Sequence, residues 1–338
     1  MSLEFMSLIL LGGLVFLLAF GVEIGPAMGI VAGLGLLLFV HQPLDYFARC
    51  AFEIMNSFTF TAIPLFVFMG AIYANTGTVS SLFRGAEKIF GNIPGSLASA
   101  MIVANAIFGA ISGSSLAAAA TFGKICFPEM EKAGYDSKLS LGAIAISGTL
   151  SVLIPPSLIM IVYGGWQDVS VARLFAGGVI PGIILSIFFI ITVTILVIRN
   201  PKLAPRTTTK FTRGEKLKVF LDLLPFAIVI ALVLGTIFSG IMTPTEAASL
   251  GALLSIILAL IYRQMTFRAL KESMMTAVNI SAMIAFVLFT ARMLGQVFQY
   301  IGLTEAFSVF MMGLPLGKYS IFAIICIMYI ILGCFFDA

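Results

Sequence analysis

GSLASAMIVANAIFGAISGSSLAAAATFG, Gly95–Gly123, is the stretch that decides how this chain folds. It is apolar and rich in small residues. It is longer than the roughly 20 residues a helix needs to cross a bilayer. Its midpoint is interrupted by Gly109 and by Ser112-Gly113-Ser114-Ser115. Basic residues flank it on both sides, Arg84 and Lys88 before it and Lys124, Lys132 and Lys138 after it. Lys and Arg gather on the cytoplasmic side of membrane segments, so both flanks are expected on one side. The stretch 95–123 therefore reads as a re-entrant helical hairpin with its tip near Ser112–Ser115. Non-helical backbone at that depth is tolerated only against protein or a wet cavity.

The chain around it has the same character. Of 338 residues, 60% are hydrophobic and only 10% charged, against roughly 25% charged in soluble domains. A soluble globule of this size cannot hide so much apolar surface, because burial saturates near three quarters. Disorder, collagen and a disulfide scaffold are excluded by the same figures. The fold class expected is an all-α polytopic membrane protein. Apolar runs predict spans at 6–22, 26–40, 50–75, 139–163, 175–198, 221–239, 247–262 and 273–300. A last apolar stretch, 319–338, runs to the end of the sequence. With the N-terminus outside and 95–123 as a hairpin, the segments 84–94, 124–138, 199–218 and 263–271 are cytoplasmic. They hold 15 of the 19 Lys and Arg. A full crossing at 95–123 would instead put the seven basic residues of 199–218 opposite Arg84 and Lys88. The net charge of +4 thus speaks to orientation, not to a nucleic-acid partner.

The polar segment 199–218 divides the chain into a first half, 1–198, and a second, 219–338. The halves repeat an order of features. Pro26 and Gly33 match Pro244 and Gly251, Glu53 and Met55 match Glu272 and Met274, and the tip Ile111–Ser115 falls on Gly333–Asp337. An odd number of crossings separates equivalent points, so the second repeat is inverted. Inverted repeats with interrupted helices mark secondary transporters. On this reading a second hairpin begins at about 319, and the chain stops at its tip. The sequence is then expected to be a C-terminally truncated form lacking roughly 80 to 100 residues of a second repeat, unable to complete a transport cycle by itself.

Two stretches carry chemistry. Around the hairpin tip, small residues let the arms approach, and Ser112, Ser114 and Ser115 offer hydroxyls beside uncoiled backbone. The second is Ser147–Ser157, SGTLSVLIPPS, midway along an apolar run. Pro155 and Pro156 lack N–H groups and break the helix, so carbonyls near Leu150 and Ser151 lose their partners. In hydrocarbon such carbonyls need a cation, water or substrate. Half-helix N-termini carry partial positive charge and suit an anionic substrate. Plain small-residue packing and a structural proline kink are the competing readings. Arg292 lies deep in 273–300, while Glu23, Glu53 and Glu246 lie near span ends. His41, the one histidine, is placed in an external loop. Walker A, a G-x-S-x-G serine with a histidine partner, and H-E-x-x-H are all missing, so no enzyme is expected. Cys50, Cys126, Cys326 and Cys334 lie in or beside apolar runs without metal spacing.

The motifs IPLFVFMG (Ile63–Gly70), FGAISGSSLAAAATFG (Phe108–Gly123), P-E-M-x-x-x-G-Y (Pro128–Tyr135), LIPPSLIMIVYG (Leu153–Gly164), LFAGGVIPG (Leu174–Gly182) and SGIMTPTEAA (Ser239–Ala248) come in this order. Together they resemble the large, DctM-type membrane subunit of the tripartite ATP-independent periplasmic (TRAP) transporters. That resemblance implies elevator-type uptake of an organic acid, driven by a sodium gradient across the bacterial inner membrane. C4-dicarboxylates, sialic acid and related sugar or keto acids are the implied substrates. It also implies two partners, a small membrane subunit and a periplasmic substrate-binding protein. By motif, Na+ would be held by Ser112 and Ser115 with carbonyls at Ser151, Ile154 and Pro156. Relatives usually have Gly where Ser151 stands. Gly113, Ser114, Thr149, Pro155, Ser157 and Asp337 are the expected substrate contacts. A second sodium site is implied at the second hairpin, of which GCFFDA (Gly333–Ala338) is present. A binding-protein-independent carboxylate symporter and a non-transporting fragment stay open as alternatives.

Overall fold

The structure, a computed structural model, describes residues 3–40, 45–91, 93–205, 213–313 and 316–334. Helices account for the ordered elements among them. In chain order they are α1 (Leu3–Ala19), α2 (Ile24–Gly35, with a π-helical turn to Val40), α3 (Asp45–Met55), α4 (Ala62–Asn75), α5 (Thr78–Phe90), α6 (Ser96–Ser112), α7 (Ser115–Lys132), α8 (Ser137–Gly148), α9 (Leu150–Leu153), α10 (Leu158–Trp166), α11 (Val171–Arg199), α12 (Arg213–Phe238), α13 (Pro244–Ile261), α14 (Phe267–Tyr300), α15 (Leu303–Gly313) and α16 (Lys318–Gly333). The broken element Ser137–Trp166 and helices α11, α13 and α14 are long and apolar enough to cross a membrane. His41 and Asp337 lie outside the described residues.

One expectation is corrected. The run 50–75 is not one span. It is divided at Asn56–Thr61 into α3 and α4, because Asn56, Ser57, Thr59 and Thr61 interrupt the helix while Phe52, Phe58 and Phe60 keep the local hydropathy high. Directly after α4 comes α5, bent from it by 70°. The segment 84–94, expected on the cytoplasmic side, is for the most part the end of this amphipathic helix. Its buried face is Val79, Leu82, Phe83 and Ala86, the spacing of an apolar helical stripe.

The chain forms two compact units, one from 1–56 with 282–338 and one from 57–281. The smaller is built on a core of Leu10, Val31, Leu36, Cys50, Met293, Leu294 and Val297. Within it, Arg292 Nη2 and Glu53 Oε2 form an ion pair at 2.8 Å. The larger unit holds the hairpin and the broken helix. Its core includes Phe66, Phe83, Phe108, Phe122 and Phe175, with the rings of Phe108 and Phe122, one from each hairpin arm, 5.8 Å apart.

The hairpin is held at its base by named contacts. The Leu97 N–H donates to the Tyr135 hydroxyl at 3.2 Å, tying the start of α6 to the end of α7. Asp136 N–H donates to the Leu203 carbonyl at 2.8 Å. Asp136 Oδ1 in turn caps α8, accepting from Lys138 and Leu139 N–H at 2.9 and 3.1 Å. Val193 and Val197 of α11 pack over Gly95. One end of the hairpin thus meets the C-terminal end of α11, and the other meets the turn Pro201–Leu203 directly after it.

Candidate functional site

The tip is made by Gly113. Its φ of +63° is a left-handed conformation that costs other residues roughly 1–2 kcal/mol. The Gly113 N–H closes α6 on the Gly109 carbonyl at 2.9 Å. Ser114 then extends the chain and caps α7, its Oγ accepting from Ala117 N–H at 3.3 Å. A Cβ on Gly113 would stand 2.7 Å from the Pro156 carbonyl oxygen and 3.1 Å from Leu158 N. The hairpin tip therefore sits directly on the break of the second element.

That break is the consequence of Pro155 and Pro156. Neither has an N–H to return to the carbonyls of Ser151 and Val152 one turn back. Helix α9 ends at Leu153, Ile154 is extended, and Ser157 caps α10 by accepting from Met160 N–H at 3.5 Å. Leu158 N–H, the first of the new helix, donates to the Gly113 carbonyl at 3.2 Å. Helix α11 seats the break: a Cβ on Gly178 would collide with the Leu153 carbonyl oxygen, and Ile154 packs over Gly182.

The expected ligand residues fall as follows. Ser112 and Ser151 are 3% and 0% exposed, and neither Oγ has a hydrogen-bond partner. Ser112 packs its Cα and Cβ on Gly70 of α4, and Ser151 Oγ stands 2.7 Å from where a Gly109 Cβ would be. Ser115, at the start of α7, has its carbonyl against Gly148 of α8. Ile154 is half-buried, while Pro155, Pro156 and Ser157 are buried. Gly113 and Ser114 are at the junction itself. Thr149 is apart from the others: its side chain is exposed, and its hydroxyl donates back to the Ile146 carbonyl at 2.7 Å. Burying two hydroxyls without partners costs about 1–3 kcal/mol each, a cost that a water or a cation bound at the junction would remove. The groups on offer are neutral hydroxyl and carbonyl oxygens from interrupted helices, a donor set that suits a weakly charged cation. Two helix N-termini, those of α7 and α10, adjoin the same point and suit an anion.

One buried residue escaped the sequence reading. Asn105, 0% exposed, donates from Nδ2 to Ser147 Oγ at 2.8 Å, and its Oδ1 has no partner. The signal available was its position on α6, four residues before Gly109 and seven before Ser112, which places all three on one helix face.

The profile of the DctM component of the tripartite ATP-independent periplasmic transporter matches residues 11–338. Among curated relatives, the C4-dicarboxylate TRAP transporter large permease protein of Pseudomonas aeruginosa is 31% identical over 92% of this chain and 72% of its own length. The isethionate TRAP transporter permease protein DctMQ of Oleidesulfovibrio alaskensis is 30% identical over 98% of this chain and 52% of its own. The sialic acid TRAP transporter large permease protein SiaM of Vibrio cholerae is 30% identical over 83% and 65%. The chain thus spans between about half and three quarters of the length of these relatives. A helical hairpin seated on a proline-broken helix, together with a match along nearly the whole chain, leads to one conclusion: this chain belongs to the DctM family of TRAP transporter large permeases, a family of transporters and not of enzymes.

Proposed function

We propose that this chain is the large permease subunit of a sodium-coupled, binding-protein-dependent importer of an organic acid. It would work in the bacterial inner membrane with its N-terminus periplasmic, beside a small membrane subunit and a periplasmic substrate-binding protein. The observation that carries the reading is the junction of Gly113 with Pro156 and Leu158, flanked by two buried hydroxyls without partners.

In this reading Na+ is cargo at the tip. Ser112 and Ser115 contribute oxygens from the hairpin, and the carbonyls of Ser151, Ile154 and Pro156 contribute from the break. The ion replaces the hydrogen bonds that Pro155 and Pro156 cannot make. Substrate binds beside it, its acidic group drawn to the N-termini of α7 and α10 near Gly113, Ser114, Pro155 and Ser157. The ion and the helix N-termini act on the anion in the same direction, so each binds better when the other is present, which is the basis of coupling. The relatives are named for C4-dicarboxylate, isethionate and sialic acid, which share an acidic group and little else. The hairpin and the element Ser137–Trp166 would move together as the elevator part.

The test is uptake into proteoliposomes holding the permease, its small subunit and a binding protein loaded with a C4-dicarboxylate or sialic acid. This chain and a version extended with the C-terminal segment of the Pseudomonas relative are run side by side. Accumulation that requires an inward sodium gradient supports the reading. Equal accumulation with choline in place of sodium overturns the coupling.

A further inference from the structure

Below the tip, α6 and α8 are joined by a file of polar atoms. Asn105 Nδ2 donates to Ser147 Oγ at 2.8 Å, and Ser147 Oγ lies 3.0 Å from the Ile144 carbonyl and 3.2 Å from Met101 Sδ. Ser147 has one proton to give, and the Ile144 carbonyl takes it. Ser147 is then satisfied. Asn105 Oδ1 is not, and neither is Ser151 Oγ. Both side chains are 0% exposed.

Their spacing follows from the helices. Asn105 meets Ser147, and Gly109, one turn further along α6, meets Ser151, one turn further along the facing element. The two polar levels are thus about one helical turn apart, and a single buried water with two polar partners is the group that would join them.

Donor and acceptor counting gives the direction. A serine hydroxyl has one proton and two lone pairs, and an amide oxygen has only lone pairs. For Ser151 to turn a lone pair toward a cation, its proton must point away from the ion and find an acceptor. Asn105 Oδ1 is a buried acceptor without a partner, one turn away on the helix that Ser151 packs against. We infer that Asn105 is a positioning residue for the cation site: one buried water accepts from the Ser151 hydroxyl and donates to Asn105 Oδ1, which holds a Ser151 lone pair toward the hairpin tip. Ser151 Oγ then adds a side-chain ligand beside the Ser151 carbonyl. Asn105 does not touch the ion. The inference rests on the cation reading of the tip.

The experiment is thermal unfolding of the purified full chain in detergent, titrated with sodium at constant ionic strength against choline. The quantity read is the sodium concentration giving half the maximal stabilisation. Ser151→Ala and Asn105→Leu are each expected to raise it about tenfold, the scale of one lost hydrogen bond to a charged site. The double variant is expected to be no worse than Ser151→Ala alone, because Asn105 acts only through Ser151. Asn105→Asp keeps the acceptor and is expected to hold the midpoint at or below the wild-type value, a rescue that a packing role would not produce. If Asn105→Leu does not fold, Asn105→Ala carries the same expected shift. An unchanged midpoint in Asn105→Leu, or additive effects in the double variant, overturns the inference while leaving the cation site standing. A wild-type chain with no sodium response overturns the cation reading itself, and that outcome is visible before any variant is made.

Discussion

At the scale of single residues, the site is defined by groups that the protein leaves incomplete. Ser112 and Ser151 are buried hydroxyls without partners, so their worth depends on what joins them. Ser112→Ala is expected to be neutral or slightly stabilising without sodium, because it removes an unpaired polar group. In saturating sodium it should be less stable than the wild type. Thermal unfolding measured in both conditions checks the change of sign, and a loss of the same size in both would make Ser112 a packing residue. Gly113 is constrained twice, by its φ of +63° and by the Pro156 carbonyl 2.7 Å from any Cβ. Gly113→Ala should cost at least about 1 kcal/mol from the backbone alone, read as a lower unfolding midpoint. Its sodium response should weaken further as the tip lifts from the break. Ser112, Ser115 and the two prolines could be singled out from sequence because hydroxyls and prolines in an apolar run are chemically conspicuous. Asn105 could not be weighted in the same way. Its importance lies in an acceptor left unpaired after Ser147 is satisfied, which only the packing of α6 on α8 shows.

At the scale of elements, the decisive feature is that one helix is prevented from closing on itself. Replacing both Pro155 and Pro156 with Ala restores two N–H donors to the carbonyls of Ser151 and Val152. The double variant should fold at least as stably, with α9 and α10 joined into one helix. Hydrogen exchange should then show protection running through residues 154–157. The sodium response should be lost, because carbonyls paired within a helix are no longer offered to an ion. The hairpin arms themselves are legible as apolar runs around a glycine-serine tip. Their lengths are not. Helix α7 runs on to Lys132, past the expected limit at 123, because Lys124, Glu129, Glu131 and Lys132 lower hydropathy without disfavouring helix. The reverse holds at 50–75, where phenylalanines keep hydropathy high across the turn that separates α3 from α4.

At the scale of the whole molecule, contacts distant in sequence set the units and their sidedness. Glu53 and Arg292 join the first and last parts of the sequence in the smaller unit, with 44% and 34% of their side chains exposed. Partial exposure reduces what such a pair contributes. Glu53→Gln and Arg292→Met are each expected to cost about 1–2 kcal/mol, because each leaves one charge unmatched. The double variant should cost less than the two together, a coupling that unfolding of all four proteins measures. In the larger unit, the hairpin ends meet the C-terminal end of α11 and the turn Pro201–Leu203 after it. Asp168 and Thr243 line one open cavity of about 500 Å³ beside the N-terminal end of α11. Cysteines placed at Lys132 and Lys202 are therefore expected to react with an impermeant thiol reagent from one side of the membrane, and those at Asp168 and Thr243 from the other. A cysteine at Arg84, exposed before the hairpin, is expected to label from the same side as Lys132, and labelling of these two from opposite sides would sink the re-entrant topology.

The sequence by itself determined that this is a helical membrane chain, where its hairpin turns and where its helix breaks. Hydropathy, basic flanks, glycine and proline are properties of a residue and its near neighbours, so they can be read along a line. The motifs in their order also carried the family. Only the tertiary structure decided that the turn rests on the break, that Glu53 finds Arg292, that α5 folds away from α4, and that Asn105 stands one turn below Ser151 with an acceptor to spare. Those are relations between segments far apart in sequence. They depend on which helix faces pack together, and on which polar atoms remain unsatisfied once they have.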